Sequence, residues 1–147
     1  MTSIRKAKKS DLNEYKRMRK LLWPECSIEQ HELEIDLILS SSGAVLVAEI
    51  SKSNLVGFTE ISIRSDQVEG ATESPVPYLE GWYVDSESRG KGVGKALLKS
   101  AEEFAAGMGF KELASDAEVN NKSSIAIHKN LGFKEVERTV HFVKTIK

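Results

Sequence analysis

Arg89-Gly90-Lys91-Gly92-Val93-Gly94 places three glycines and two fixed cations between an apolar run that ends at Val84 and an amphipathic run that opens at Val93. Glycine lets backbone N–H groups come close to an anion, and a helix starting there adds the positive end of its dipole. Lys95 brings a third cation to the same spot. A pyrophosphate is the ligand such a loop suits. A phosphate loop of the Gly-x4-Gly-Lys-Ser/Thr type does not fit the run from Gly90 to Ala96. A dinucleotide fingerprint fails as well, because its third glycine falls on Lys95. The plainer alternative is a flexible basic turn, but the loop has a strand before it and a helix after it.

Carboxylates form the second set. Glu80 lies within the apolar run 78–84, Asp116 ends the short run 113–115, and Glu137 lies within 133–140. A polycationic amine needs several acidic contacts, and three strands here offer one each. Glu80 could instead face solvent on an alternating strand, and aspartate also favours strand ends simply as a turn former. His128 is a candidate proton donor near neutral pH, or a residue that only packs on its helix. Trp23, beside Pro24, is either core filler or the aromatic wall of a pocket. Cys26 has no evident histidine partner and reads as an inert small side chain rather than a nucleophile. The three histidines, His31, His128 and His141, show no metal-ligand spacing, so no metal is expected.

These residues need elements to position them. Residues 2–7 open with a short strand. Asp11 and Glu14 have the spacing of a capping box, and Leu12, Tyr15, Met18 and Leu22 follow helical periodicity up to Pro24. Ser27 and Gln30 repeat the cap for a second helix with Leu33, Leu37 and Ile38 on its apolar side. The period then changes to that of strands: 44–50 and 55–64 form a hairpin around a turn at 51–54. Residues 65–77 are an exposed acidic loop containing Gly70, Pro75 and Pro77. After the 78–84 strand and the glycine loop, Val93, Leu97, Ala101, Phe104, Ala105 and Met108 outline a helix of about four turns, stopped by Gly107 and Gly109. A short strand at 113–115 and a helix at 123–130 closed by Gly132 precede two final strands, 133–140 and 141–146. The order implies an α+β fold with a mixed, mostly antiparallel central sheet, about four flanking helices and one crossover.

At 147 residues the chain has the size of one domain, 1–147. Its 40% hydrophobic and 29% charged content is that of a soluble globular protein. A formal charge of −1 argues against a nucleic-acid binder. No apolar run suits a membrane helix and the first residues lack a signal-peptide pattern. With Cys26 as the lone cysteine, no internal disulfide can form, so a cytoplasmic protein with no membrane partner is expected.

Arg89-Gly90-Lys91-Gly92-Val93-Gly94 is similar to the Arg/Gln-x-x-Gly-x-Gly/Ala signature of the GNAT superfamily of N-acetyltransferases. Asn121, Ser124, His128 and Gly132-Phe133 fall on the spacing of that family's second motif. A narrower likeness joins Leu22-Trp23-Pro24, Leu79-Glu80-Gly81, Ala114-Ser115-Asp116 and Leu131-Gly132-Phe133 with Glu135 and Glu137. Together these resemble the aminoglycoside 6′-N-acetyltransferases. The resemblance implies a GNAT fold and direct transfer of acetyl from acetyl-CoA to a primary amine, the 6′ amine of an aminoglycoside, in a ternary complex. It implies that Trp82, Tyr83 and Val84 offer backbone groups to the pantetheine, that Arg89, Gly90, Lys91, Gly92, Val93 and Gly94 hold the pyrophosphate, and that Asn121 binds the pantetheine arm. Trp23, Cys26, Gln67, Glu80, Asp116 and Glu137 would line the acceptor pocket. Cys26 and Gln67 stand where relatives can carry histidine and tyrosine. Glu80 or Asp116 would take the amine's proton, His128 would stand where a thiolate-protonating tyrosine is common, and N–H groups near Tyr83 would polarise the thioester. A homodimer is also implied. Two rival functions share these features: acetylation of a polyamine, another small amine or a protein N-terminus, and a CoA-binding module with little catalysis.

Overall fold

The structure is a computed structural model that describes residues 2–147. The chain forms β1 (Ser3–Lys6), α1 (Leu12–Leu22), α2 (Ile28–Leu39), β2 (Ala44–Ser51), β3 (Asn54–Arg64), β4 (Val76–Val84), α3 (Val93–Gly107), β5 (Ala114–Ser115) and α4 (Lys122–Asn130). The strands make a sheet in sequence order, with β1 to β4 antiparallel and β5 parallel to β4. Among the described residues this is the α+β architecture expected, a mostly antiparallel sheet with four α-helices. Among the described residues no helix is long and apolar enough to cross a membrane.

Strand alternation divides the core between two faces. Val45, Val47 and Phe58 point to Tyr15 and Met18 of α1 and to Ile35 and Ile38 of α2. Their neighbours Leu46 and Ala48 point the other way, onto Leu98, Ala101 and Leu97 of α3. The inward stripe of α2 differs from expectation. Leu33 and Leu37 are 52% and 61% exposed, while His31, Ile35 and Ile38 are buried. The helix presents His31 inward because Arg19, itself 1% exposed, donates from Nε to His31 Nδ1 at 3.1 Å. A polar residue with a buried partner displaces leucines that periodicity alone favours.

Both cap sites were legible, but only one is a cap. Ser27 Oγ accepts from the Gln30 N–H at 3.1 Å, as expected. Asp11 makes no such bond to α1. Its carboxylate accepts from Arg5 Nη1 at 2.7 Å and Nη2 at 3.0 Å, and from the Lys8 N–H at 2.6 Å. Glu14 accepts from Arg17 instead of reaching back. Arg5 outcompetes the cap because a charged donor binds a carboxylate more strongly than a backbone N–H does.

The two C-terminal strands do not form. Residues 134–147 carry no strand pairing, and Phe142 and Val143 are 89% and 98% exposed. Alternating apolar residues describe a strand's faces but supply no partner, and an unpaired strand has no ladder to hold it.

Asp11 ties β1 to the start of α1, and Arg5 holds its carboxyl below the usual range against the opposing effect of burial. A depressed carboxyl adds stability above its unfolded pKa, which is lost as pH falls through the folded value. Asp11→Asn should cost about 1–3 kcal/mol near neutrality. It should also flatten the loss of stability below about pH 4, where wild type protonates Asp11. Urea unfolding across that range checks both.

Candidate active site

Helix α3 begins without a side-chain cap. Its N-cap is Gly92 at φ 85°, and its first turn holds no acidic residue. Helices normally quiet their first N–H groups with serine, threonine or a carboxylate. Here those donors stay open beside Lys91 and Lys95. Gly90, at φ 75°, and Gly92 occupy left-handed backbone, and a Cβ at either would meet nothing within 4 Å. The open space is therefore on the solvent side, where an anion would approach. Gly94 is held differently: its carbonyl accepts from Trp82 Nε1 at 3.1 Å, and a Cβ there would make ordinary contact at 3.7 Å. Arg89 turns back, donating from Nε to the Val84 carbonyl at 2.8 Å, with its guanidinium 5.7 Å from the Tyr83 ring centre.

Strands β4 and β5 pair only at Tyr78–Ala114 and Leu79–Ser115. Beyond Leu79 the β5-facing edge of β4 has no strand beside it, so residues 80–84 present backbone groups to the gap between β4 and the α3 N-terminus. Trp82, Tyr83 and Val84 lie on that stretch, although Arg89 already occupies the Val84 carbonyl. Asn121 is the N-cap of α4: its Oδ1 accepts from the Ser124 N–H at 3.2 Å. Capping explains the three-residue spacing of these two positions. His128 packs edge-on to Trp82, 5.3 Å between ring centres, and 4.9 Å from Phe133. Its Nδ1 lies 2.7 Å from the Ser124 carbonyl, an acceptor only, so Nδ1 carries the proton. Nε2 then accepts from Ser115 Oγ at 2.8 Å. Packing and proton exchange are thus both open to His128.

Glu80 is the extra residue of a β-bulge. Glu60 pairs with Gly81 and Ile61 with Leu79, which leaves Glu80 without a partner on β3. The bulge turns its carboxylate toward Ser62 and Arg64. Ser62 Oγ donates to Oε2 at 2.5 Å, Arg64 Nε to Oε2 at 2.8 Å and Arg64 Nη2 to Oε1 at 2.7 Å. Glu80 is therefore a paired, half-buried group and not a solvent-facing one. Asp116, just past β5, accepts from the Tyr78 hydroxyl at 2.5 Å. Burial first, then Asp116, raises the Tyr78 pKa, which keeps the phenol a donor. Trp23 closes the side: a Cβ on Gly81 would lie 2.6 Å from Trp23 Cη2, so glycine is what admits the indole.

Three other expected pocket residues share no hydrogen bond with Glu80 or Asp116. Glu137 is exposed, lies on no strand, and accepts from Thr139 Oγ1 at 3.1 Å. Gln67 is exposed in the loop between β3 and β4. Cys26 is half-buried in the turn after Trp23, where its N–H donates to the Trp23 carbonyl at 3.2 Å. Sequence reading passed over Ser62, Arg64 and Tyr78, whose bonds are made across strands. It also missed a buried network beneath Trp23. The Arg19 guanidinium lies 4.6 Å from the Trp23 ring centre and donates from Nη1 to both Glu60 oxygens at 3.0 and 3.2 Å, and from Nη2 to Glu34. Burial pushes the Glu60 carboxyl up to about 7, against the pull of Arg19.

Residues 13–133 match the Acetyltransferase (GNAT) family. The chain belongs to that family. At 39% identity it is similar to an aminoglycoside N(6′)-acetyltransferase type 1 of Stenotrophomonas maltophilia, with 95% of this chain and 91% of that protein covered. A protein of the same name from Klebsiella aerogenes is 37% identical, with 97% and 96% covered. Among solved structures, aminoglycoside 6′-N-acetyltransferase AAC(6′)-Ih of Acinetobacter baumannii superposes with a TM-score of 0.90 at 34% identity over all of both chains. AAC(6′)-Iy in complex with the bisubstrate analog CoA-S-monomethyl-acetylneamine gives 0.91 at 33% identity over 99% of each chain.

Gly94 separates access from folding. Its backbone is ordinary helix, so Gly94→Ala should leave CoA affinity within about threefold, whereas the branched side chain of Gly94→Val should lower it at least roughly tenfold. Calorimetric titration with CoA, alongside thermal unfolding of both variants, checks this. Unchanged affinity in the valine variant contradicts the placement.

Proposed function

We propose that this protein transfers the acetyl group of acetyl-CoA to the 6′ amine of an aminoglycoside, by direct attack in a ternary complex. The observation that carries this reading is the pair of carboxylates, Glu80 and Asp116, on one side of the β4–β5 parting, with the open α3 N-terminus on the other. Family membership and the named relatives support the donor and the acceptor class. The residues fit the donor: the unbonded N–H groups after Gly92, Lys91 and Lys95 suit its pyrophosphate, and the free β4 edge suits its pantetheine. Asn121 keeps its side-chain NH2 for the same arm, since only Oδ1 serves the cap.

The acceptor's ammonium must lose a proton before it attacks the thioester carbonyl. Glu80 is gripped by a cation and a hydroxyl, whereas Asp116 accepts one neutral hydroxyl and has lone pairs left. Asp116 is therefore the better-placed proton acceptor, directly or through water, and Glu80 the anchor for a neighbouring ammonium. Backbone N–H groups near Tyr83 would polarise the carbonyl. Once His128 Nε2 takes up a proton from solvent it donates to Ser115 Oγ, whose own hydrogen can then pass to the leaving thiolate.

The protein acts as a cytoplasmic homodimer on this reading. The free thiol of Cys26 suits a reducing compartment. Val140, Phe142, Val143 and Ile146 are exposed apolar residues near the chain's end, and their counterpart on this reading is a second copy of the chain. Light scattering should give twice the 16.3 kDa chain mass. Phe142→Glu combined with Val143→Glu should return the monomer; a wild-type monomer contradicts the dimer.

The acceptor is tested by CoA release with two aminoglycosides that differ only in carrying an amine or a hydroxyl at 6′. Turnover is expected with the amine alone. Asp116→Asn should lower acceptor kcat/KM roughly ten- to a hundredfold with acetyl-CoA affinity unchanged. Equal rates on the two compounds, or preference for a linear polyamine across an amine panel, would contradict the assignment.

A further inference from the structure

We propose that Arg64 is the positioning residue of the acceptor site, setting both carboxylates at once and leaving one open acceptor position on Glu80 for a substrate ammonium. The inference rests on the reading of Glu80 and Asp116 given above. A carboxylate offers about four lone-pair positions. On Glu80 Oε2, Ser62 Oγ and Arg64 Nε occupy two, and Arg64 Nη2 occupies one on Oε1. The remaining position lies on Oε1. Two parallel bonds from a planar guanidinium fix the carboxylate plane as well as its charge, which a point-charge ammonium does not do.

The same guanidinium reaches Asp116 indirectly. It lies 3.5 Å from the Tyr78 ring centre, against the face of a residue whose hydroxyl donates to Asp116 Oδ2 at 2.5 Å. Ser62 and Arg64 on β3 stand two residues apart, opposite Tyr78 and Val76 of β4, so all these groups share one face of the sheet. The chain Glu80–Arg64–Tyr78–Asp116 thereby spans the site from the bulge to the end of β5. It also sets the charge: two carboxylates against one fixed cation leave a net negative site, suited to an incoming ammonium and unsuited to an anion.

A purely structural role fits less well. The Arg64 and Glu80 side chains are 33% and 29% exposed, and a half-buried ion pair that water still reaches adds only modestly to stability. What the pair does define is where an ammonium can bind.

The test is steady-state kinetics of wild type, Arg64→Met, Arg64→Lys and Ser62→Ala with acetyl-CoA and a 6′-amino aminoglycoside. Arg64→Met should lower acceptor kcat/KM roughly ten- to a hundredfold while the acetyl-CoA KM stays within about twofold. Arg64→Lys restores the charge without the two-point grip and should stay at least about fivefold below wild type. Ser62→Ala should have a smaller effect in the same direction. Unchanged or improved acceptor kcat/KM in Arg64→Met overturns the inference, because Arg64 would then compete with the substrate for Glu80. Full rescue by lysine overturns it too, since charge alone would suffice. If Arg64→Met does not fold, the lysine variant decides. Wild-type inactivity on the aminoglycoside removes the functional reading and the inference with it, whereas an active wild type with an equally active Arg64→Met removes the inference alone.

Discussion

Strand β5 stays beside β4 for only two residue pairs, and the rest of the molecule is organised around their separation. A parallel pair that continued would have covered the β4 edge with ladder hydrogen bonds. Because it stops, residues 80–84 keep a free edge on one side while β3 secures them on the other. The bulge at Glu80 falls at the same level. It kinks β4 and moves a carboxylate out of the ladder register just where the gap opens. Helix α3 starts beside that gap, with Trp82 Nε1 tied to the Gly94 carbonyl. A single strand thus carries the proposed donor contacts and the proposed acceptor contacts on successive residues.

Burial beneath the site is unusually polar. Arg19, His31 and Glu60 lie under Trp23 and Gly81, in a core otherwise built from residues such as Phe58, Tyr15 and Met18. Each of these groups is costly to bury alone, and the ion pair offsets much of that cost only if its geometry holds. Its location matters for function. Arg19 backs the indole of Trp23, and Trp23 fits over Gly81, next to the bulge. The wall of the proposed pocket is therefore fixed from below by charge and from the side by a missing Cβ. The pairs at Arg64–Glu80 and Tyr78–Asp116 fix the facing side, so the site holds its shape through bonds among its own residues.

Much of this was legible in the chain itself. Glycines with cations between a strand and a helix marked the loop at 89–94 as a candidate anion site, and the α3 N-terminus there has no side-chain cap. Alternation in 44–50 and 55–64 marked the hairpin because each face of those strands meets a helix layer. What periodicity could not reveal were choices made by partners distant in sequence. Leu33 and Leu37 lost the inward face of α2 to His31 because Arg19 was waiting for it. Asp11 left its capping role for Arg5. Glu137 was placed on a strand by alternation, yet the residues after Phe133 find no ladder within one chain. Arg64 carried no motif at all; only the β3–β4 register brings it to Glu80.

The most direct measurement is a crystal structure of the protein with CoA and an aminoglycoside bearing a 6′ amine. The pyrophosphate is expected against the N–H groups after Gly92 and the thiol beside the free β4 edge. One aminoglycoside ammonium is expected on Glu80 Oε1 with Arg64 still in place, and the 6′ nitrogen within reach of Asp116. An aminoglycoside bound away from the β4–β5 parting, or a CoA that leaves the α3 N-terminus untouched, would contradict this arrangement.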